Sequence, residues 1–157
     1  MWIARRTDYA ARAVLALAST ADPAPLNIET LSRRTAVPRS VLEQVMPALR
    51  SAGIVRSQRG AAGGYRLNKD PADITLERIV RLFQGPLAPI GCATRKAADD
   101  CPMTPGCSMQ TVWQEVRDAT IRILESTTFA DLADRATGPW QTGLPLYDPP
   151  AQPTGRR

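Results

Sequence analysis

Histidine is absent from this chain of 157 residues. The missing side chain is the commonest general base and a common zinc ligand, so hydrolase and histidine-rich metal sites lose their usual donors. The longest apolar run, Ala13 to Ala18, is far too short to cross a bilayer. Arg5 and Arg6 stand where a signal peptide would begin its apolar stretch. We therefore expect a cytoplasmic protein with no membrane partner.

Cysteine is scarce as well, and an odd count of three without an export signal argues for reduced thiols rather than a disulfide framework. Cys92, Cys101 and Cys107 follow a C-x8-C-x5-C spacing along an irregular, Pro- and Gly-punctuated segment. Such a segment has little apolar surface to order it, so a bound metal is a candidate organiser. Three thiolates suit an iron-sulphur cluster with one further ligand, or zinc with one borrowed ligand. Inert or redox-active thiols in a metal-free protein are the alternative.

Positive charge is concentrated in the first half of the chain. Residues 1–70 contain 11 Lys+Arg and 5 Asp+Glu, whereas residues 71–157 contain 9 and 10, which together give the net charge of +5. A basic surface confined to one part of the protein indicates a polyanionic partner.

Two short helical patterns joined by a tight turn follow the first helix, which begins near Thr7. Asn27 is a candidate N-cap for a helix over 28–34, and Pro38 opens a second helix at a position that proline tolerates. The outer face of that second helix is polar and partly basic. It carries Arg39, Ser40, Glu43, Gln44 and Arg50. This is the helix-turn-helix pattern.

A glycine-rich stretch, Arg59 to Leu67, lies between two short strand patterns at 54–58 and 65–67. Glycines at the tip of a hairpin after a helix-turn-helix predict a wing. Arg59 and Arg66 border glycines Gly63 and Gly64, where missing side chains would let backbone approach a phosphate or a narrow minor groove. A plain solvated hairpin is the alternative.

The remaining chain predicts three further helices. Thr75 caps one over 76–84, a long amphipathic helix includes 112–124, and Thr127 or Thr128 caps a final short one. The apolar stripe of the long helix either completes the core or, as we prefer, forms a homodimer seam. The predicted fold is mainly α with a small β-wing. We assign 1–85 to a winged helix-turn-helix domain, 86–108 to a cysteine loop, 109–135 to a dimerisation helix and a short terminal helix, and 136–157 to a disordered tail.

Five motifs follow one another along the chain: Thr7-Asp8-Tyr9-Ala10, Ser40-Val41-Leu42-Glu43-Gln44, Arg59-Gly60-x-x-Gly63-Gly64-Tyr65, Ile74-Thr75-Leu76 and the three cysteines. In this order, over residues 1 to about 135, they resemble the Rrf-two family of bacterial winged-helix regulators. That family includes regulators of iron-sulphur assembly, nitric-oxide sensors and repressors of cysteine metabolism.

The resemblance implies a homodimer on a double-stranded DNA operator, with recognition helices in adjacent major grooves and wings in the minor groove. Ser40, Glu43 and Gln44 would read bases, Arg59 would enter the minor groove, and Arg39 or Arg50 would contact phosphates. Gln can pair with adenine and Glu can accept from cytosine, which agrees with this division. Glu43 has an alternative interpretation as an ordinary surface charge.

The resemblance also implies that Cys92, Cys101 and Cys107 ligate a 2Fe-2S or 4Fe-4S cluster, with Asp8 of the partner subunit as the fourth ligand. An acidic residue in a first helical turn is, however, also favoured by the helix dipole alone. The first cysteine interval is longer than in well-known members, and Gln110 stands where one of them has histidine.

The expected function is transcription regulation that senses redox state, nitric oxide or iron-sulphur status. A cluster-free regulator that responds by thiol oxidation or through a partner protein is the alternative. A metal-dependent enzyme using the three cysteines is a distant one, because the chain has no histidine and no Glu in a motif beside them.

Overall fold

The computed structural model describes residues 3–20, 24–60, 62–94 and 106–136. These residues form six α-helices and one two-stranded antiparallel sheet. The helices are α1 (Arg5–Ala18), α2 (Ile28–Thr35), α3 (Arg39–Ser51), α4 (Leu76–Gln84), α5 (Ser108–Glu125) and α6 (Phe129–Arg135), and the strands are β1 (Val55–Gln58) and β2 (Gly64–Leu67). Single 3₁₀ turns at Pro71–Asp73 and Gly91–Ala93, which the sequence did not indicate, complete the architecture. The predicted fold class, mainly α with a small wing, is confirmed.

Three helices begin at the caps that the sequence indicates. The Asn27 side chain accepts a hydrogen bond from the Thr30 N–H at 2.8 Å, and Thr75 accepts one from the Arg78 N–H at 3.3 Å. Thr128 and Asp131 form a reciprocal capping box at the start of α6. Each cap satisfies backbone donors that a helix end leaves free, which fixes where the helix starts.

The core is built around α1, which packs against α2, α3, α4 and α6. Its buried side chains meet the apolar face of α3 in one cluster. The fully buried members from these two helices are Ala10, Ala13, Val14, Leu42, Val45, Met46 and Leu49. Pro47 lies on the opposite, exposed face of α3, and the helix continues past it to Ser51. The core therefore holds α3 by one side and leaves its polar side free.

The short helix α6 packs into this same core, although the sequence grouped it with α5. Phe129 is completely buried, and its N–H donates to the Ile74 carbonyl at 2.9 Å. The Leu76 N–H donates to the Thr127 carbonyl at 2.8 Å, so the segments preceding α4 and α6 pair as a short antiparallel bridge. This pairing stabilises α4 on the core.

Helix α5 lies at the periphery and has no fully buried residue. It contacts α4 and the Gly91–Ala93 turn. None of the helices in the described ranges is long and apolar enough to span a bilayer. The predicted disordered tail lies, from residue 137 onward, outside the described residues.

Candidate nucleic-acid interface and cysteine turn

The turn between α2 and α3 is fixed by two buried hydroxyls. Ser32 Oγ donates to the Val37 carbonyl at 2.7 Å, and Thr35 Oγ1 donates to the Leu31 carbonyl at 2.7 Å. Ala36 adopts a left-handed conformation with φ +54° at the end of α2. These contacts set the direction in which α3 leaves the turn.

The outer face of α3 carries the residues predicted to read bases. Ser40, Glu43 and Gln44 are all exposed, whereas their neighbours Leu42 and Val45 are buried. Positions i, i+3 and i+4 share one side of a helix, so the three polar side chains form a single edge. Such an edge suits insertion into a major groove.

Arg39 and Glu43 neutralise each other on this edge. The Arg39 guanidinium lies 2.9 Å from the Glu43 carboxylate and 4.0 Å from Glu29. The hydrogen bond that Arg39 donates to Glu43, followed by the charge of that carboxylate, raises the pKa of Arg39. Both side chains are more than half exposed, so Arg39 can leave Glu43 and contact a phosphate at little cost in free energy.

The wing, which we define as β1, β2 and the residues joining them, is bound to the body of the protein through Leu26. Leu26 and Tyr65 exchange two backbone hydrogen bonds of 2.9 and 2.8 Å. A Cβ on Gly64 would lie 2.5 Å from the Leu26 carbonyl carbon, and one on Gly63 would lie 2.5 Å from the Gln58 carbonyl oxygen. Internal backbone contacts thus require glycine at both positions, and the approach of Gly63 and Gly64 to DNA stays a prediction.

Three arginines lie on the wing, and one of them, Arg56, was not predicted from the sequence as a DNA-binding residue. Arg59 is exposed near the tip. Arg66 is half-buried, and its Nε has no hydrogen-bond acceptor among the described residues. Arg56, which is exposed, lies directly opposite Arg66 in the β1–β2 register. Pairing the predicted strands residue by residue would have revealed this cross-strand pair of like charges.

A further contact joins the wing to α3. Arg50, a predicted phosphate ligand in the last turn of α3, lies 3.4 Å from the Ser57 hydroxyl on β1. The Asn68 side chain donates to the Gly53 carbonyl at 3.2 Å, which closes the other end of the hairpin onto the end of α3. The helix and the wing therefore form one surface.

Gln110 connects two of the cysteines. Its backbone N–H donates to the Cys107 carbonyl at 3.2 Å, and its side-chain amide donates to the Cys92 carbonyl at 3.4 Å. Both thiols are free and half-buried. Arg117, about two turns further along the same face of α5, donates to the carbonyl of Ala93. Two α5 side chains thus hold the Gly91–Ala93 turn.

Of the remaining predicted cluster ligands, Asp8 alone lies among the described residues. Cys101 lies outside the described residues. Asp8 forms an ion pair with Arg12 at 2.9 Å on a partly exposed face of α1. Within the ranges that the structure covers, no three acidic or thiol side chains are placed to hold a metal ion.

A family model described as "Rrf2: Iron-dependent Transcriptional regulator" matches residues 3–135. An rrf2-like HTH-type transcriptional regulator of Rhodobacter capsulatus is 37% identical over 136 residues, covering 83% of this chain and 91% of the relative. CymR of Bacillus subtilis is 32% identical, covering 88% and 94%, and NsrR of Geobacillus kaustophilus is 30% identical, covering 87% and 93%.

Solved structures agree with these matches. CymR, described as the global cysteine regulator of B. subtilis, has a TM-score of 0.74 at 30% identity, covering 87% of this chain and 99% of CymR. An oxidized form of Staphylococcus aureus CymR has a TM-score of 0.69 at 26% identity, covering 88% and 100%. IscR of T. potens has a TM-score of 0.69 at 27% identity, covering 88% and 94%.

Proposed function

This chain belongs to the Rrf2 family of DNA-binding transcriptional regulators, and we propose that it reads an operator as a homodimer through α3 and the wing. The observation that carries the proposal is the shared surface: the exposed polar edge of α3 lies beside the wing, and Arg50 and Ser57 connect the two. Because the family consists of transcriptional regulators, the alternative of a metal-dependent enzyme is set aside.

Each part of the surface has a chemical role. Ser40, Glu43 and Gln44 present the donors and acceptors that base edges in a major groove recognise. Arg59 would enter the minor groove, where a narrow A·T-rich stretch attracts guanidinium groups. The other arginines, Arg39, Arg50, Arg56 and Arg66, would contact phosphates, which position the protein without reading sequence.

The homodimer is supported by an apolar stripe along α5. The helix has 18 residues and is thus about 27 Å long. Its large apolar side chains recur at helical spacing and are exposed in the monomer. They are Met109, Val112, Trp113, Val116 and Ile123, whose exposure ranges from 38% to 65%. A contiguous exposed stripe of this kind indicates an interface. A two-fold pair of stripes would place two copies of α3 on adjacent half-sites.

Duplex binding tests this function. A binding site is first selected from a random duplex library, and its affinity is then followed by fluorescence anisotropy over a salt series. We expect the log–log slope to fall by about 0.9 for each phosphate contacted. Gln44→Ala should weaken binding to the selected site far more than binding to random duplex. The control Arg135→Gln, on α6, removes one positive charge, as an arginine substitution in the wing would, and should leave the affinity for both duplexes unchanged. A flat salt response would contradict the proposal.

Cys92, Cys101 and Cys107 are the residues that we propose hold an iron-sulphur cluster. The donor chemistry fits, because soft thiolates are the ligands that such clusters take, both described thiols are free, and Gln110 donates to the backbone carbonyls of both cysteines. Asp8 of the partner subunit is the candidate fourth ligand. Its present ion pair with Arg12 is partly exposed, and such pairs contribute at most about 1 kcal/mol, so exchange is inexpensive.

When bound, the cluster supplies redox chemistry and iron that small oxidants can reach. The protein's own contribution is mechanical. Gln110 and Arg117 hold the backbone of Cys92 and Ala93 against α5. A displacement of this turn is therefore passed to α5, and through a dimer seam to the spacing of the two recognition helices.

Anaerobic purification tests the cluster. Wild type should retain iron and sulphide and absorb visible light, and each Cys→Ser variant at 92, 101 and 107 should lose both. Ser108→Ala, adjacent to Cys107 but without a soft donor, is the matched control and should keep them. Wild type that retains no iron after anaerobic reconstitution would remove the cluster from the proposal.

A cluster-free regulator is the second candidate, and the likeness to CymR, including an oxidized form, favours it. In that case the half-buried thiols of Cys92 and Cys107 would themselves be oxidised. Metal-free protein should then bind its operator, and mild peroxide should change the affinity. If Cys92→Ser and Cys107→Ser respond to peroxide as wild type does, this candidate fails.

A further inference from the structure

A cavity of about 540 Å³ opens between α4, residues 86–88 and α5, away from the surface proposed for DNA. Its volume lies in the range of small-molecule sites. The apolar part of its lining comes from Pro86, Leu87, Ala88 and Ile121, of which Leu87 is almost fully buried. The floor can therefore accept a hydrocarbon group of a few carbons.

Of the three guanidinium groups that the described residues bring to the cavity, two are already paired. Arg81 is paired with Glu77, and Arg117 is paired with Asp118 while it also donates to the Ala93 carbonyl. The Arg117 side chain is only 13% exposed, so it forms part of the wall.

Among the described residues, the cavity carries one cation and one anion that have no partner. Arg122 and Glu125 both line the cavity, and neither side chain has an ion pair or a hydrogen bond with any of the described residues. Residues i and i+3 of a helix have Cβ atoms about 5–6 Å apart. The two charges can therefore reach one small ligand together.

The cavity stays open if α5 forms a dimer through its apolar stripe. Its α5 lining begins at Arg117 and ends at Glu125, with Ile121 between them, and these positions face away from Val116 and Ile123 on the stripe. A partner on the stripe and a ligand in the cavity would occupy opposite sides of the same helix.

We propose that this cavity binds a small zwitterion with an apolar side chain, which is the chemistry of an aliphatic α-amino acid. The carboxylate of the ligand would pair with Arg122 and its ammonium group with Glu125. Its alkyl side chain would lie on Leu87 and Ile121. The site includes no residue of α3 or the wing and neither described thiol, although Arg117 in its wall also donates to the Ala93 carbonyl. Leucine binding as proposed requires neither DNA binding nor a cluster, so its test is separate from that of the proposed function.

Isothermal titration of the full chain with three matched probes tests the site. L-leucine carries both charges, 4-methylpentanoate lacks the ammonium group, and 3-methylbutan-1-amine lacks the carboxylate. We expect saturable binding of leucine, and about tenfold weaker binding of each analogue, because each loses one charge-assisted contact.

Two single variants then identify which group reads which charge. Arg122→Gln should remove the advantage of leucine over the amine, and Glu125→Gln should remove its advantage over the acid. Both side chains are exposed, so the variants should fold as wild type does, and thermal unfolding checks this. Arg135→Gln, on α6 and outside the cavity, is the matched control and should bind leucine as wild type does.

Three results would overturn the proposal. They are no saturable leucine binding at tens of millimolar, equal affinity for all three probes, and leucine binding that is unchanged in both variants. The first would mean that the cavity holds no such ligand, and the other two would mean that the Arg122 and Glu125 charges do not select it.

Discussion

Arg39 Nε donates a hydrogen bond of 2.9 Å to the Glu43 carboxylate, one turn further along α3. Glu43 places a negative charge on the surface proposed for DNA, and its carboxylate occupies the Arg39 guanidinium. Replacing Glu43 by Gln removes a repulsion against phosphates and frees Arg39 to contact one. It also removes an acceptor that a cytosine amino group would use.

We expect Glu43→Gln to bind random duplex several-fold more tightly and to discriminate less between the selected site and its single-base variants. A bidentate or charged base contact is worth about 1–3 kcal/mol of discrimination. Competition anisotropy against both duplexes measures the two effects separately. Unchanged discrimination would assign Glu43 to the surface charges and leave base reading to its neighbours.

Gly64→Ala should damage the wing. The added Cβ would lie 2.5 Å from the Leu26 backbone, which no side-chain movement can relieve. Forced overpacking of this kind costs about 1–3 kcal/mol, measurable by urea unfolding, and DNA binding should weaken with it. Gly91→Ala is the control, since a Cβ there meets nothing within 4 Å and should leave stability within about 0.5 kcal/mol of wild type. Equal stability of Gly64→Ala and wild type would show that Leu26 does not constrain the wing.

Local signals in the sequence predicted all six α-helices of the described residues and both strands. Asn27 and Thr75 begin helices because a cap acts on residues two or three positions away, which a reader of the sequence can see. The role of Gly64 could not be predicted, because its close neighbour Leu26 comes from a distant segment. A short helix around Phe129 was predicted, but its burial in the core was not, because that burial involves the pairing of Thr75 with Thr128, which are far apart in the sequence.

Some candidate site residues could likewise be predicted from local sequence, whereas others depend on tertiary contacts. The shared face of Ser40 and Gln44 follows from helical periodicity alone. The link between Cys92 and Cys107 through Gln110 depends on how the Gly91–Ala93 turn packs against α5, which spacing does not specify. Arg56 was predictable in principle, because the strand register follows once the two strands are aligned.

Ala36→Gly should stabilise the protein. Ala36 is the one described non-glycine residue with a positive φ, +54°, a conformation that costs an L-residue about 1–2 kcal/mol. Glycine avoids that cost but loses about 0.5–1 kcal/mol through the entropy of the unfolded chain. A net gain of roughly 0.5–1 kcal/mol is expected in urea unfolding, with no change in DNA affinity. A loss of stability would mean that the Ala36 side chain makes a favourable contact.

Arg56→Gln should lower the salt dependence of DNA binding. Like charges directly opposite on a hairpin repel, so the Arg56–Arg66 pair is favoured only where a polyanion lies against it. We expect the log–log salt slope to become about 0.9 less steep and random and selected duplexes to weaken equally. The same variant should unfold at the same or a slightly higher urea concentration, because a repulsion is relieved. An unchanged slope would place this side of the wing away from DNA.

Stability should depend on pH through the α6 capping box. The Thr128 hydroxyl, followed by the Thr128 backbone N–H, lowers the pKa of Asp131. A carboxyl whose pKa is lower in the folded state stabilises it fully above the unfolded value, near 3.9, and loses that contribution as pH falls through the folded value. The gap in unfolding free energy between wild type and Asp131→Asn should therefore be largest at neutral pH and shrink below about pH 4. Asp134→Asn, an exposed carboxylate of the same helix outside the cap, is the control and should show a smaller gap. Urea unfolding at pH 7 and pH 3 measures both, and a gap for Asp131→Asn that stays constant would mean that the cap works equally well with a protonated partner.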